Sequence, residues 1–265
     1  VDHRRLRDIL DKRVRDGVIR RMIDKWLKAG VLEAGTLFYP DAGTPQGGVV
    51  SPLLANVYLH EVLDVWFEQE VRPRLDAKAT LVRYADDFVI VFAKEDDARR
   101  VLAVLPERFG KYGLTLHPDK TRLVDFRRPS REGVRRKTFD LLGFTHFWGI
   151  SKAGKLVMQR KTASDRFGRA LKRATEWCRA NRHLPVEQQH RMLVQKLRGH
   201  YSYFGIVGNR RALDRFQFEL TRVWHKWLHR RSNRARMWWV RFRHLLERFP
   251  LPRPRIAWVA ANPCA

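Results

Sequence analysis

Leu81-Val82-Arg83-Tyr84-Ala85-Asp86-Asp87-Phe88-Val89-Ile90-Val91-Phe92 is the stretch on which the reading of this chain turns. Two runs rich in β-branched and aromatic residues flank Ala85-Asp86-Asp87, the pattern of a β-hairpin. Its tip carries two adjacent carboxylates between strongly apolar flanks. Like charges so close repel, more so in a low-dielectric setting, and a divalent cation relieves the repulsion. Mg²⁺ is held by one or two carboxylates plus substrate phosphates, and a two-metal site clamps the attacking and leaving oxygens of a phosphoryl transfer. An isolated Asp-Asp pair is more often an ordinary turn. What surrounds it decides.

Upstream, residues 3–30 show helical spacing of Leu6, Ile9, Leu10, Val14, Val18, Met22 and Trp26, with Gly17 marking a break. A short strand is expected at 36–39, then a loop dense in turn formers at 41–48. Ser51-Pro52 suits a helix start, and the helix runs to about Val71 with Leu54, Val57, Tyr58, Val62 and Trp66 on its buried stripe. Downstream, 95–112 reads as a helix interrupted or kinked at Pro106. Strands are expected at 120–126 and 139–147, separated by a basic loop at 127–137. Basic amphipathic helices follow at about 163–182, 185–204, 211–230 and 233–248, and the tail holds Pro250, Pro252, Pro254 and Pro263. The expected class is α+β: a mixed unit at 1–155, a helical unit at 156–250 and a proline-rich tail at 251–265.

The charge is lopsided. The chain carries 54 Lys+Arg against 28 Asp+Glu, net +26. Residues 151–265 hold 27 basic and 6 acidic side chains, so most of the excess lies there. Such a balance points to a polyanionic partner, and the interleaved Trp, Tyr and Phe offer stacking faces beside phosphate-binding groups. Trp224, Trp227, Trp238 and Trp239 fit that role, but large aromatics more often make up helix core. No run approaches the length of a membrane span, and no signal peptide is visible, so no membrane partner is expected. Cys178 and Cys264 form no metal-ligand cluster and suit a reducing cytoplasm.

Five motifs appear in a telling order. Thr44-Pro45-Gln46-Gly47-Gly48-Val49-Val50-Ser51-Pro52 precedes the hairpin; Gly113-Leu114-Thr115-Leu116-His117-Pro118-Asp119-Lys120-Thr121 follows it. Leu141-Leu142-Gly143-Phe144 comes next, then Leu197-Arg198-Gly199-His200-Tyr201-Ser202-Tyr203-Phe204-Gly205-Ile206-Val207-Gly208-Asn209. The set resembles reverse transcriptases, and most closely the bacterial group II intron reverse transcriptase/maturase family, over nearly the whole chain. That resemblance implies a right-hand polymerase palm followed by a helical thumb or maturase domain. It implies Asp86 and Asp87 as catalytic metal ligands for Mg²⁺, with Tyr84 and Ala85 beside the primer end and nucleotide. It implies template and nucleotide contacts at Gln46 and Gly47, where glycine permits close backbone approach. Lys120 would sit by the nucleotide phosphates; Leu142, Gly143 and Phe144 would form the primer grip, or simply core. RNA contacts would fall on Arg198, Tyr201, Arg210 and Arg211. The implied partners are an RNA template and intron RNA, a DNA primer and deoxynucleoside triphosphates.

The sequence also departs from the family. The family palm carries another essential carboxylate on a strand just before a Val/Ile-Asp-His motif, and Val1-Asp2-His3 looks like the end of that motif. The resemblance therefore places that strand and the fingers ahead of residue 1, leaving an incomplete palm that is not expected to polymerise alone. Asp2 is expected to cap the first helix. A non-catalytic, intron-RNA-binding splicing factor is the alternative reading. A nucleotide cyclase on a related palm leaves the motif series and the basic half unexplained.

Overall fold

The computed structural model describes residues 2–28, 31–33, 36–38, 50–129, 137–151, 153–232 and 236–256. The chain is a mixture of helices and small antiparallel sheets, of the α+β class. It divides into two compact units, Val1–Val124 and Asp125–Ala265.

In the first unit, α1 (His3–Asp11) begins where the Asp2 carboxylate accepts the Arg4 and Arg5 amides, the expected cap. The break falls at Lys12–Asp16, and Asp16 caps α2 (Gly17–Lys28) through the Val18 and Ile19 amides. The strands β1 (Val31–Glu33) and β2 (Thr36–Phe38) pair as a small hairpin. α3 (Ser51–Leu59) starts with Val50 in the cap position, so Ser51 is its first helical residue, not its cap. The helix does not stop at Leu59. It continues as wide π-turns over His60–Val65 and Phe67–Val71, closing with a tight turn at Arg72–Arg74.

Those wide turns let one helix serve two clusters. Leu54, Tyr58 and Val62 pack with Leu6, Ile9, Leu10, Ile23 and Leu27 of α1 and α2. Leu63, Trp66, Phe67 and Val71 instead join Val101, Leu105 and Phe109 of α4 (Glu95–Lys111). Arg108 of α4 donates to the Val62 carbonyl at 3.0 Å, within the first wide turn, and lies over the Trp66 and Tyr112 rings. α4 runs through Pro106 without interruption.

β3 (Ala79–Tyr84) and β4 (Asp87–Phe92) form the expected hairpin, in register from Ala79↔Phe92 to Tyr84↔Asp87. Leu81, Phe88, Ile90 and Phe92 face the α3–α4 cluster, while Val82, Tyr84 and Val91 face outward. Asp97, in the first turn of α4, is buried. Its carboxylate accepts the Asp76 and Ala77 amides and pairs with Arg100, tying the segment before β3 to the helix after β4. Burial opposes its ionisation, but these donors outweigh burial and hold the carboxyl below the usual range.

The strand expected at 120–126 does not form: 118–120 is a turn and 121–129 joins no ladder among the described residues. In the second unit, β5 (Phe139–Leu141), β6 (Phe144–Ile150) and β7 (Leu156–Thr162) make an antiparallel sheet. The expected single strand at 139–147 is thus a hairpin turning at Leu142–Gly143, where φ is +51° and +76°. The helices α5 (Ser164–Ala180), α6 (Val186–Phe204), α7 (Arg210–His229) and α8 (Trp239–Arg248) bury one core. It includes Leu193, Leu197, Leu213, Phe216, Leu220, Trp224 and Phe242. The sheet packs with these helices: Asn209 is buried, its amide engaging the Thr162 N–H and Oγ1 and the Phe204 carbonyl. A change of character is visible in the sequence near 155, but the compact units divide at Val124, because β5 to β7 belong with the helices.

Candidate active site

Tyr84 and Asp87 are the last ladder pair, so Ala85 and Asp86 make the two-residue connection. Ala85 sits at φ +53°, a left-handed conformation that costs a non-glycine residue about 1 kcal/mol. Tyr84, Asp86 and Asp87 are all exposed, with Tyr84 across the ladder from Asp87 on the outward face. Among the described residues, no ion pair or side-chain hydrogen bond engages either carboxylate. Two adjacent carboxylates on a short rigid turn are hard oxygen donors, a set that suits Mg²⁺. Asp86 and Asp87 are the residues that would hold it, and the ion would supply charge neutralisation at a transferring phosphate.

The turn is braced from behind by Arg83. Its guanidinium forks onto Asp64 of the wide-turned helix, Nε to Oδ1 at 2.7 Å and Nη2 to Oδ2 at 2.6 Å. Its remaining nitrogen, Nη1, donates to Asn56 Oδ1 at 3.0 Å and to the Ala85 carbonyl at 2.9 Å. His60 Nδ1 lies 3.1 Å from Asp64 Oδ2. One half-buried side chain therefore links α3 to the strained residue next to the carboxylates. Burial pushes the Asp64 carboxyl up, but hydrogen bonds from Arg83 and His60 outweigh it and hold the group below its ordinary value.

A depressed carboxyl stabilises the fold above its unfolded pKa, and that contribution is lost as pH falls through the folded value. Replacing Arg83 by methionine is expected to cost about 2–3 kcal/mol at neutral pH, because the half-buried Asp64 loses its bidentate guanidinium partner and keeps only its contact with His60. The difference should shrink on acidification below the ordinary carboxylate range. Urea denaturation of both proteins at neutral and acid pH checks it; equal stability at neutral pH refutes it.

The other expected residues scatter. Gln46 and Gly47 lie outside the described residues. Lys120 is exposed, on the turn where its amide meets the His117 carbonyl after α4. Leu142, Gly143 and Phe144 belong to the second unit. There the Tyr203 hydroxyl donates to the Leu142 carbonyl, the Ala163 amide to the Gly143 carbonyl, and the Phe144 ring packs on Tyr203 and Phe204. Arg198 and Arg211 are exposed, and Arg210 pairs with Asp214. Tyr201 is buried, its hydroxyl donating to the Pro252 carbonyl, so the structure makes it core and not a nucleic-acid contact. Sequence reasoning missed Arg83 and Asp64. A lone arginine inside an apolar strand was the available signal for the first; nothing marked its partner.

Residues 5–146 match the family model described as reverse transcriptase (RNA-dependent DNA polymerase). The chain belongs to the reverse transcriptase family. Within it, its kin are the group II intron reverse transcriptase/maturase proteins. It is 45% identical over 62 residues to the group II intron-encoded protein LtrA of Lactococcus lactis subsp. cremoris, covering 23% of this chain and 10% of that one. It is 31% identical over 156 residues to protein YkfC of Escherichia coli (strain K12), covering 46% and 39% respectively. A putative COX1/OXI3 intron 2 protein of Saccharomyces cerevisiae aligns over 83% of this chain and 30% of its own, at 24% identity. The matched stretches thus span between a tenth and two fifths of these relatives.

Proposed function

We propose that the chain is part of an RNA-directed DNA polymerase of a group II intron, with Asp86 and Asp87 as its metal-binding carboxylates. The observation that supports this most is the hairpin: two exposed carboxylates at a strained turn, held by the Arg83–Asp64 fork to the longest helical run of the first unit. On this reading the first unit belongs to the palm, and the helices of the second to the thumb or maturase domain. A primer 3′-hydroxyl attacks the innermost phosphate of an incoming deoxynucleotide, and the protein positions and neutralises. The RNA template is read by its shape and 2′-hydroxyls. Lys120 and Leu142–Phe144 keep the roles the resemblance implies, beside the nucleotide phosphates and the primer.

Primer extension on poly(rA)/oligo(dT) with Mg²⁺ tests this reading. The full-length parent is expected to extend the primer, and to stop doing so when Asp86 is replaced. Robust, Asp86-independent synthesis defeats the proposal. A second reading, a maturase that folds intron RNA without catalysis, is favoured by charge: residues 125–265 carry 33 basic and 9 acidic side chains, net +24. An Asp86→Ala parent that still binds RNA and supports splicing would separate the two roles.

A further inference from the structure

The tryptophans of α7 and α8 part company. Trp224 is core, but Trp238 and Trp239 are 63% and 50% exposed, with Val240 beside them at 58%. Large rings left in water in this way mark contact surfaces. Both are braced from behind. The Trp239 ring stacks on His225 at 4.0 Å between centroids and meets Phe242, which is buried, edge-on. The Trp238 ring meets His229 edge-on at 5.4 Å. His225 Nε2 and His229 Nδ1 lie 2.8 and 2.9 Å from the Met237 carbonyl, so both nitrogens donate to the residue just before the pair. The rings are therefore set in place before anything binds.

The sequence to either side of them carries charge of one sign. Residues 220–246 contain eight Lys and Arg and no Asp or Glu. Arg236, Arg241 and Arg243 are exposed, and Arg243 lies one helical turn beyond Trp239 on α8. A protein partner covering this surface would have to neutralise that excess; a polyanion with flat apolar faces satisfies both features at once. Paired bases in a duplex hide those faces, whereas a single strand presents them.

We propose that Trp238 and Trp239 form a stacking platform for unpaired bases of a single-stranded RNA segment, with Arg236, Arg241 and Arg243 on its phosphates. The proposal rests on the RNA-binding part of the reading above and adds where and in what form RNA is held. Its test uses the 265-residue chain with a fluorescent oligo(rA) strand and an RNA duplex of equal length. Trp238→Ala and Trp239→Ala are each expected to weaken the single strand about tenfold and leave duplex affinity unchanged, with Phe at either position restoring most of the loss. Intrinsic tryptophan fluorescence should be quenched by the strand, less so in each variant, and the far-ultraviolet circular dichroism melts should coincide. Equal loss toward strand and duplex, or rescue by leucine as good as by phenylalanine, overturns stacking. If the variants bind every RNA as the parent chain does but lose self-association in sedimentation, the surface belongs to a second copy and the platform is wrong. If the unaltered chain binds no RNA at all, the maturase reading falls with it.

Discussion

Replacing Asp86 by alanine in the full-length parent is expected to reduce RNA-templated DNA synthesis by roughly a thousandfold or more, the equivalent of at least about 4 kcal/mol of lost transition-state stabilisation. The size follows from what the carboxylate is asked to do. Charge develops on the oxygens around the transferring phosphate, and metal ions neutralise it only where ligands fix them. The same change should hardly touch stability, within about 0.5 kcal/mol, since Asp86 is exposed on the turn and engages no neighbour among the described residues. Primer extension and thermal melting of the same preparations check both halves. A variant that melts normally and still synthesises DNA at a tenth of the original rate would remove Asp86 from the site.

Replacing Trp224 by alanine is expected to destabilise the second unit by about 3–5 kcal/mol. Trp224 is fully buried, packs edge-on against Phe242, and donates through Nε1 to Gln189 Oε1 at 3.0 Å. Its loss opens a large cavity and strips that oxygen of its donor. Gln189 is itself buried and spends its amide nitrogen on the Arg182 and Leu184 carbonyls, so it has no freedom to turn away. Denaturant midpoints compared with Trp238→Ala, expected to fall within about 0.5 kcal/mol of the parent, would show the two tryptophans to be of different kinds. Similar losses at both positions would contradict the burial of one and the exposure of the other.

That contrast also shows what the residues alone could tell. Alternating apolar strands around Ala85–Asp86 announced their hairpin, and helical spacing with Gly17 announced α1, its break and α2. Four tryptophans among arginines did not sort themselves into core and surface, because helical spacing cannot say which neighbour covers a face. β7 was missed, since Leu-Val-Met-Gln-Arg-Lys-Thr lacks the apolar alternation of a strand. The turn at Leu142–Gly143 was hidden inside an apparent strand: leucine in the left-handed region carries none of the usual turn chemistry, and tertiary contacts hold it there. The expected start of α8 came early; 236–238 is extended, and the helix begins at Trp239. Of the candidate site, the carboxylates were legible and their support was not. Asp64 lies 19 positions from Arg83, and only the fold makes them neighbours.

The wide turns of α3 have a consequence for how this protein can change. Each residue of an ordinary helix advances the face by about 100°. A wide turn holds one residue more than an ordinary one, so the loss of a residue between His60 and Val65 is absorbed by closing that turn, and the residues beyond keep their faces. An inserted residue finds no such slack: placed before Asp64, it would advance everything beyond by about 100°, carrying Asp64 from the reach of Arg83 and turning Phe67 and Val71 from the hairpin. The segment is in effect the slack in one rod, and single-residue gaps there should be commoner among working variants than single-residue insertions.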